Sequence, residues 1–201
     1  AAHLMRKGFD VNFHDMEAGG GCDFLIEKDG MELEVECKFV SGDIGRQIHL
    51  RKFHQLSTVL LPKLANILDT ATDGHLIRVT IPGRLSGDVQ QHREITRMAL
   101  QAFSSEGSLS TPTEIRVSYD KFSIAESPFG SLKPTEISGD HIHQFLLENF
   151  SVSNKNVLAN FKPNHSAILC VIESAKNDSV LKGIHRQLKD SAQNQFSGTR
   201  P

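Results

Sequence analysis

GGGCDFLIEKDGMELEVECKFV, residues 19–40, sets the frame in which the remaining chain is read. Two alternating runs, 22–28 and 31–40, meet at Asp29-Gly30. That dipeptide accepts the positive φ angles of a two-residue β-turn, so the pattern predicts a hairpin. Such a turn fixes the register: Lys28 faces Met31, Leu25 faces Glu34 and Asp23 faces Glu36. One face then gathers Phe24, Ile26, Leu33, Val35 and Phe39 with Cys22 and Cys37, and is expected in the core. The other gathers Asp23, Glu27, Glu32, Glu34 and Glu36, followed by Lys38.

Directly opposed residues of an antiparallel pair hold their Cβ atoms roughly 5 Å apart, so Asp23 and Glu36 repel unless a cation sits between them. A hard divalent ion such as Mg²⁺ suits that spacing, because it takes oxygen ligands and borrows only one or two carboxylates from a protein. Lys38 lies roughly 6.6 Å further along the strand, on the same face, within reach of a metal-bound water or a phosphate oxygen. The plainer alternative is an acidic face that is simply solvated, since Glu-x-Lys triplets are common on strands.

Asp23, then Glu36-Cys37-Lys38 on the next strand, with a short helix before and another after, resembles the PD-(D/E)xK nuclease superfamily of restriction-endonuclease-like fold. The resemblance covers residues 1–82 and implies an α/β fold. Its αβββαβ core would hold a mixed central sheet flanked by helices, here joined by an accessory α+β insertion. It further implies a Mg²⁺-dependent endonuclease, with Mn²⁺ able to substitute, that hydrolyses phosphodiester bonds in nucleic acid, DNA foremost. Asp23 and Glu36 would hold the metal, the carbonyl of Cys37 would add a ligand, and Lys38 would assist the attacking water. Gln47, by its position in the following helix, would stand beside the metal, with Glu34 as a second participant of lower rank. A homodimer would be natural if both strands of a duplex are cut. Two departures stand out: Cys22 occupies a position where many members carry Pro, and a further acid common in the first helix is missing, the chain opening inside that helix. The alternative is a catalytically inactive module of the same fold that binds nucleic acid or a protein partner.

Composition narrows the classes. With 201 residues, 38% hydrophobic and 23% charged, the chain suits one domain with additions. It has no run of about 18 apolar residues and no secretory leader pattern, so a soluble, cytoplasmic protein is expected. Three cysteines without C-x-x-C spacing argue against a structural zinc site or a disulfide framework. A net charge of −2 argues against a broad basic surface but leaves room for a local cationic cleft. The absence of Trp, with a single Tyr, disfavours a base-stacking platform.

Outward from the hairpin, residues 1–7 read as helix ended by Gly8, and 9–14 as a half-buried strand. Gly19-Gly20-Gly21 reads as a turn, because no helix opening on Lys-Ser or Lys-Thr follows it. Ser41-Gly42-Asp43 starts a helix over 44–61, stopped by Pro62 and burying Ile44, Ile48, Phe53, Leu56 and Leu60. Arg46, Arg51 and Lys52 on its first turns are candidate phosphate ligands, or equally a solvated basic face. A strand over 75–81 and a helix over 88–103 complete a nuclease-like core, 1–103. Residues 104–165 read as the accessory insertion, with a short strand at 115–119 and a helix from Asp140 to 150. His141-x-His143 is not a metal pair, since i, i+2 residues do not share a helix face. Residues 166–201 supply a nearly continuous apolar strand, 166–173, and a helix, 179–196, striped by Leu181, Ile184, Leu188 and Ala192. Both are expected to return to the central sheet, before a terminal turn at 198–201 into a further element.

Overall fold

The computed structural model describes residues 1–13, 22–68, 73–112, 114–154, 156–162 and 166–194. The expected turns at Gly19-Gly20-Gly21 and 198–201 lie outside them. The fold is mixed α/β with two separate sheets, and the chain divides into two compact units, Ala1–Gly45 with Ser179–Pro201 and Arg46–Asp178. These boundaries differ from the divisions at 103/104 and 165/166 expected from sequence.

The first unit holds α1 (Ala2–Arg6), β1 (Asp10–Phe13), β2 (Phe24–Lys28), β3 (Met31–Val35) and, from the far end of the chain, α5 (Val180–Asn194). β1, β2 and β3 form an antiparallel meander. Asp29 at φ 53° and Gly30 at φ 77° make the tight turn between β2 and β3. The ladder pairs Lys28 with Met31, Leu25 with Glu34 and Phe24 with Val35, the register the turn dictates. The second strand, expected to reach residue 40, ends at Val35. β3 is an edge, so burial is confined to Phe24, Leu25 and Ile26 on the central strand with Cys22 beside it. Leu33 and Cys37 of the expected core face are exposed, as is Phe39 at 88%.

α5 is tied down within this unit. The Ser179 N–H donates to the Gly45 carbonyl at 2.8 Å, and Gly45 sits at φ 68°. A Cβ on Gly45 would lie 2.4 Å from the Ser179 carbonyl oxygen, so glycine is required there for space as well as for φ. The stripe expected to pack on a sheet is instead largely open: Leu181 is 83% exposed, Leu188 and Ala192 are exposed and Ile184 is half-buried.

The second unit is built on a five-stranded sheet of order β5 (Leu109–Ser110), β6 (Arg116–Phe122), β4 (Asp73–Ile81), β8 (Ser166–Ser174), β7 (Val157–Lys162). β4 and β8 run parallel and the other neighbours antiparallel. The segment expected to be an accessory insertion therefore supplies β5, β6 and β7 to the main sheet. β4, expected beside the hairpin strands, is instead the centre of this second sheet.

One face of β4 and β8, with Ile77, Val79, Ile81, Ile168, Cys170 and Ile172, packs under α2 (Leu50–Leu68) and α3 (Val89–Ser105). The opposite face, with Leu76, Ala167, Leu169 and Val171, packs against Phe145 and Leu146 of α4 (Gly139–Phe150) and Phe129 of the 3-10 turn Pro128–Ser131. α3 begins at the Asp88 cap, whose carboxylate accepts the Gln90 N–H at 3.1 Å.

α2 corrects the expected helix at both ends. It starts at Leu50 rather than residue 44, and it runs through Pro62 to Leu68. Pro62 leaves the Thr58 carbonyl without its helical donor at a cost of about 3 kcal/mol. Leu56, Leu60, Leu64 and Leu68 are all buried along one face, each contributing about 1.5–3 kcal/mol, which outweighs that loss. Since Pro62 itself is exposed, Pro62→Ala should raise the unfolding free energy by about 1–2 kcal/mol, once the entropy that proline removes from the unfolded chain is set against the helical gain. Urea denaturation of the two proteins measures this.

Candidate functional site

The acidic end of the β2–β3 hairpin is shaped by what happens one step past the ladder. Asp23 precedes β2 and Glu36 follows β3, so backbone pairing does not hold them opposite each other. A side-chain bond links the two segments instead: the Cys37 N–H donates to Asp23 Oδ2 at 2.5 Å. The carboxylate takes the place of a strand carbonyl, which ends the sheet and keeps Asp23 close to the Glu36-Cys37-Lys38 segment.

Glu36 and Lys38 turn to the same side, as i, i+2 spacing expects, and Lys38 Nζ lies 2.5 Å from Glu36 Oε1. The Glu36 side chain is only 7% exposed and that of Lys38 25%. The second carboxylate oxygen, Glu36 Oε2, is shielded from solvent and has no hydrogen-bond partner among the described residues. Buried polar atoms are nearly always satisfied, so an orphaned carboxylate oxygen calls for a donor or a cation. Asp23 is thus tied through the Cys37 N–H to the segment that carries Glu36. Among the described residues no cluster of three or more His, Cys, Asp or Glu is placed to hold a metal ion.

Lys38 also lines a cleft of about 490 Å³, together with Ile44 and with Arg186, Gln187, Asp190 and Ser191 of α5. The Gln187 side-chain amide donates to the Phe39 carbonyl at 3.1 Å and so fixes the segment carrying Lys38. Arg186 and Gln187 were not among the residues expected from sequence. The signal available was the polar run at 186, 187, 190 and 191, which recurs at i, i+4 beside the leucine stripe.

The remaining candidates are dispersed. Glu34 pairs with Leu25 within the ladder and is half-buried. Gln47 is not on a helix: it precedes α2 in the second unit, where its N–H donates to Asp178 Oδ1 at 2.7 Å and its Nε2 to the Asn177 carbonyl at 3.3 Å. Arg46 lies beside it, exposed, while Arg51 and Lys52 occupy the first turn of α2.

The three cysteines differ sharply. Cys22 and Cys170 are buried and Cys37, between Glu36 and Lys38, is exposed. Burial pushes the Cys170 thiol up to about 12, so it stays protonated and unreactive at any ordinary pH. Iodoacetamide at mildly alkaline pH should therefore modify Cys37 and spare Cys22 and Cys170 until denaturant is added, as read by peptide mass spectrometry.

Comparisons with protein-family models, with curated proteins and with solved structures returned no match to this chain.

Proposed function

We propose that the chain is a metal-dependent phosphodiesterase acting on nucleic acid, DNA foremost, on the restriction-endonuclease-like plan that its motif resembles. The observation that carries this reading is the orphaned, shielded oxygen of Glu36, next to an ion-paired lysine and in a segment whose Cys37 N–H is bonded to Asp23. The donor set fits Mg²⁺, with Mn²⁺ as a substitute: two carboxylates and a backbone carbonyl are hard oxygen ligands, and this ion needs no larger protein cage. Asp23 and Glu36 would hold it, with the Cys37 carbonyl as a third ligand. When bound, the ion would supply Lewis-acid stabilisation of the scissile phosphate and a more acidic water.

Other steps fall to side chains of this unit. Lys38 orients the attacking water and offsets charge on the phosphate as it grows. Arg186, which lines the same cleft, would bind a phosphate oxygen, and Gln187 would position the Lys38 segment through Phe39. The non-catalytic reading draws on one feature, that Lys38 already neutralises Glu36.

Cleavage of supercoiled and single-stranded DNA with Mg²⁺ or Mn²⁺, beside a chelator control, separates the two readings. Lys38→Ala should cut at least about a hundredfold more slowly while still binding Mn²⁺, and Asp23→Asn should lose both cleavage and Mn²⁺ binding. A Lys38→Ala protein that cuts as fast as its parent would sink the mechanism. A parent that neither cuts nor binds Mn²⁺ would favour the binding module.

A further inference from the structure

The face of the five-stranded sheet that packs under α4 is apolar over only half its length. Along β4 it runs from Leu76 to Arg78 and Thr80, and along β8 from Leu169 and Val171 to Glu173. Arg78 pairs with Ser118 of β6, and Thr80 with Glu173 of β8. The apolar cluster stops at Leu76 on β4, and beyond it lie two clefts, of about 570 and 410 Å³, with Arg78 and Glu173 lining both. They sit at the carboxyl ends of the two parallel strands, where open α/β sheets tend to receive ligands.

The charges in this region are unbalanced. Arg46, Arg78 and Lys176 line the larger cleft and Arg116 the smaller, and none of the four forms an ion pair among the described residues. The two acids present are already engaged: Glu173 accepts from Thr80 Oγ1 at 2.9 Å and Asp178 from the Gln47 N–H at 2.7 Å. Arg78 is the least satisfied. Its Nη2 donates to the Phe150 carbonyl at 3.0 Å, which fixes the fork, while its Nε is shielded from solvent without a partner. A guanidinium held rigid, partly desolvated and lacking a counter-ion is a site prepared for an anion.

We infer that this polar half-face binds the phosphate groups of a mononucleotide-sized ligand, with Arg78 as the central contact and Arg46 and Lys176 at the rim. The larger cleft has the volume of such a ligand, and on its wall Asn154 Oδ1 accepts from the Asn156 N–H and side-chain amide, which leaves the Asn154 amide N–H groups and Asn156 Oδ1 to meet a base or sugar. The site lies within the second unit and does not depend on the nuclease reading.

Calorimetric titration with ADP, adenosine and duplex DNA tests it. ADP should bind, adenosine should not, and added salt should weaken ADP binding. Arg78→Met should lower ADP affinity at least about tenfold, because a charge-assisted bond to a rigid guanidinium is lost. Lys176→Ala and Arg46→Ala, both exposed and harmless to folding, should each lower it about two- to fivefold. These two carry the test if Arg78→Met fails to fold by circular dichroism. Lys38→Ala, in the other unit, should bind ADP as the parent does. No ADP binding, equal binding of adenosine, binding of duplex DNA alone, or ADP binding indifferent to the cation substitutions would each overturn the inference.

Discussion

Two parallel strands at the centre of a sheet must be covered on both faces, because their side chains alternate through the sheet and both sets here are apolar. β4 and β8 impose that requirement on the second unit. Residues 167–172 of β8 are buried without interruption, which no single layer of helices can accomplish. α2 and α3 answer for one side and α4 with its neighbouring 3-10 turn for part of the other. Where the second cover ends, the exposed face turns polar, and the sheet's own strands become the floor of a cleft.

The first unit rests on a smaller constraint, the positive φ angles at Asp29 and Gly30. A two-residue turn leaves no freedom of register, and a slip of one residue would move Leu25 and Glu34 to the wrong side of the sheet. Once the turn is set, Asp23 arrives one step beyond the last ladder pair, opposite the amide of Cys37. The carboxylate then does two things at once. It ends the strand by capturing an N–H, and it anchors the segment carrying Glu36 and Lys38.

How much of this was legible depends on the range of the cause. The hairpin register and the apolar strand β8 follow from a few adjacent residues, and the sequence pattern states them directly. The start of α2 does not. Gln47, expected near its beginning, is held instead by Asn177 and Asp178, more than a hundred residues away. Pro62 misleads for a related reason, since a local penalty of about 3 kcal/mol is overridden by burial that only the folded sheet provides. Of the candidate site, the Lys38–Glu36 pair and the bond from the Cys37 N–H to Asp23 involve residues joined by one turn and one strand, a range that spacing reaches. Arg186 and Gln187 arrive from the other end of the chain, and no local pattern announces which cleft they face.

Net charge hides the arrangement that matters most. At −2 the whole chain looks indifferent to anions. Charges beyond about 10 Å are largely screened at ordinary salt, so what a phosphate meets is the local balance. In the first unit that balance is three carboxylates, Asp23, Glu36 and Asp190, against Lys38 and Arg186, a mixture that would attract an anion only once a further cation joined it. In the second, Arg46, Arg78, Arg116 and Lys176 face two carboxylates already hydrogen-bonded within the sheet and its loops. The two units therefore differ in what they would offer an anion: carboxylates outnumber cations around the first cleft, and cations outnumber carboxylates around the second.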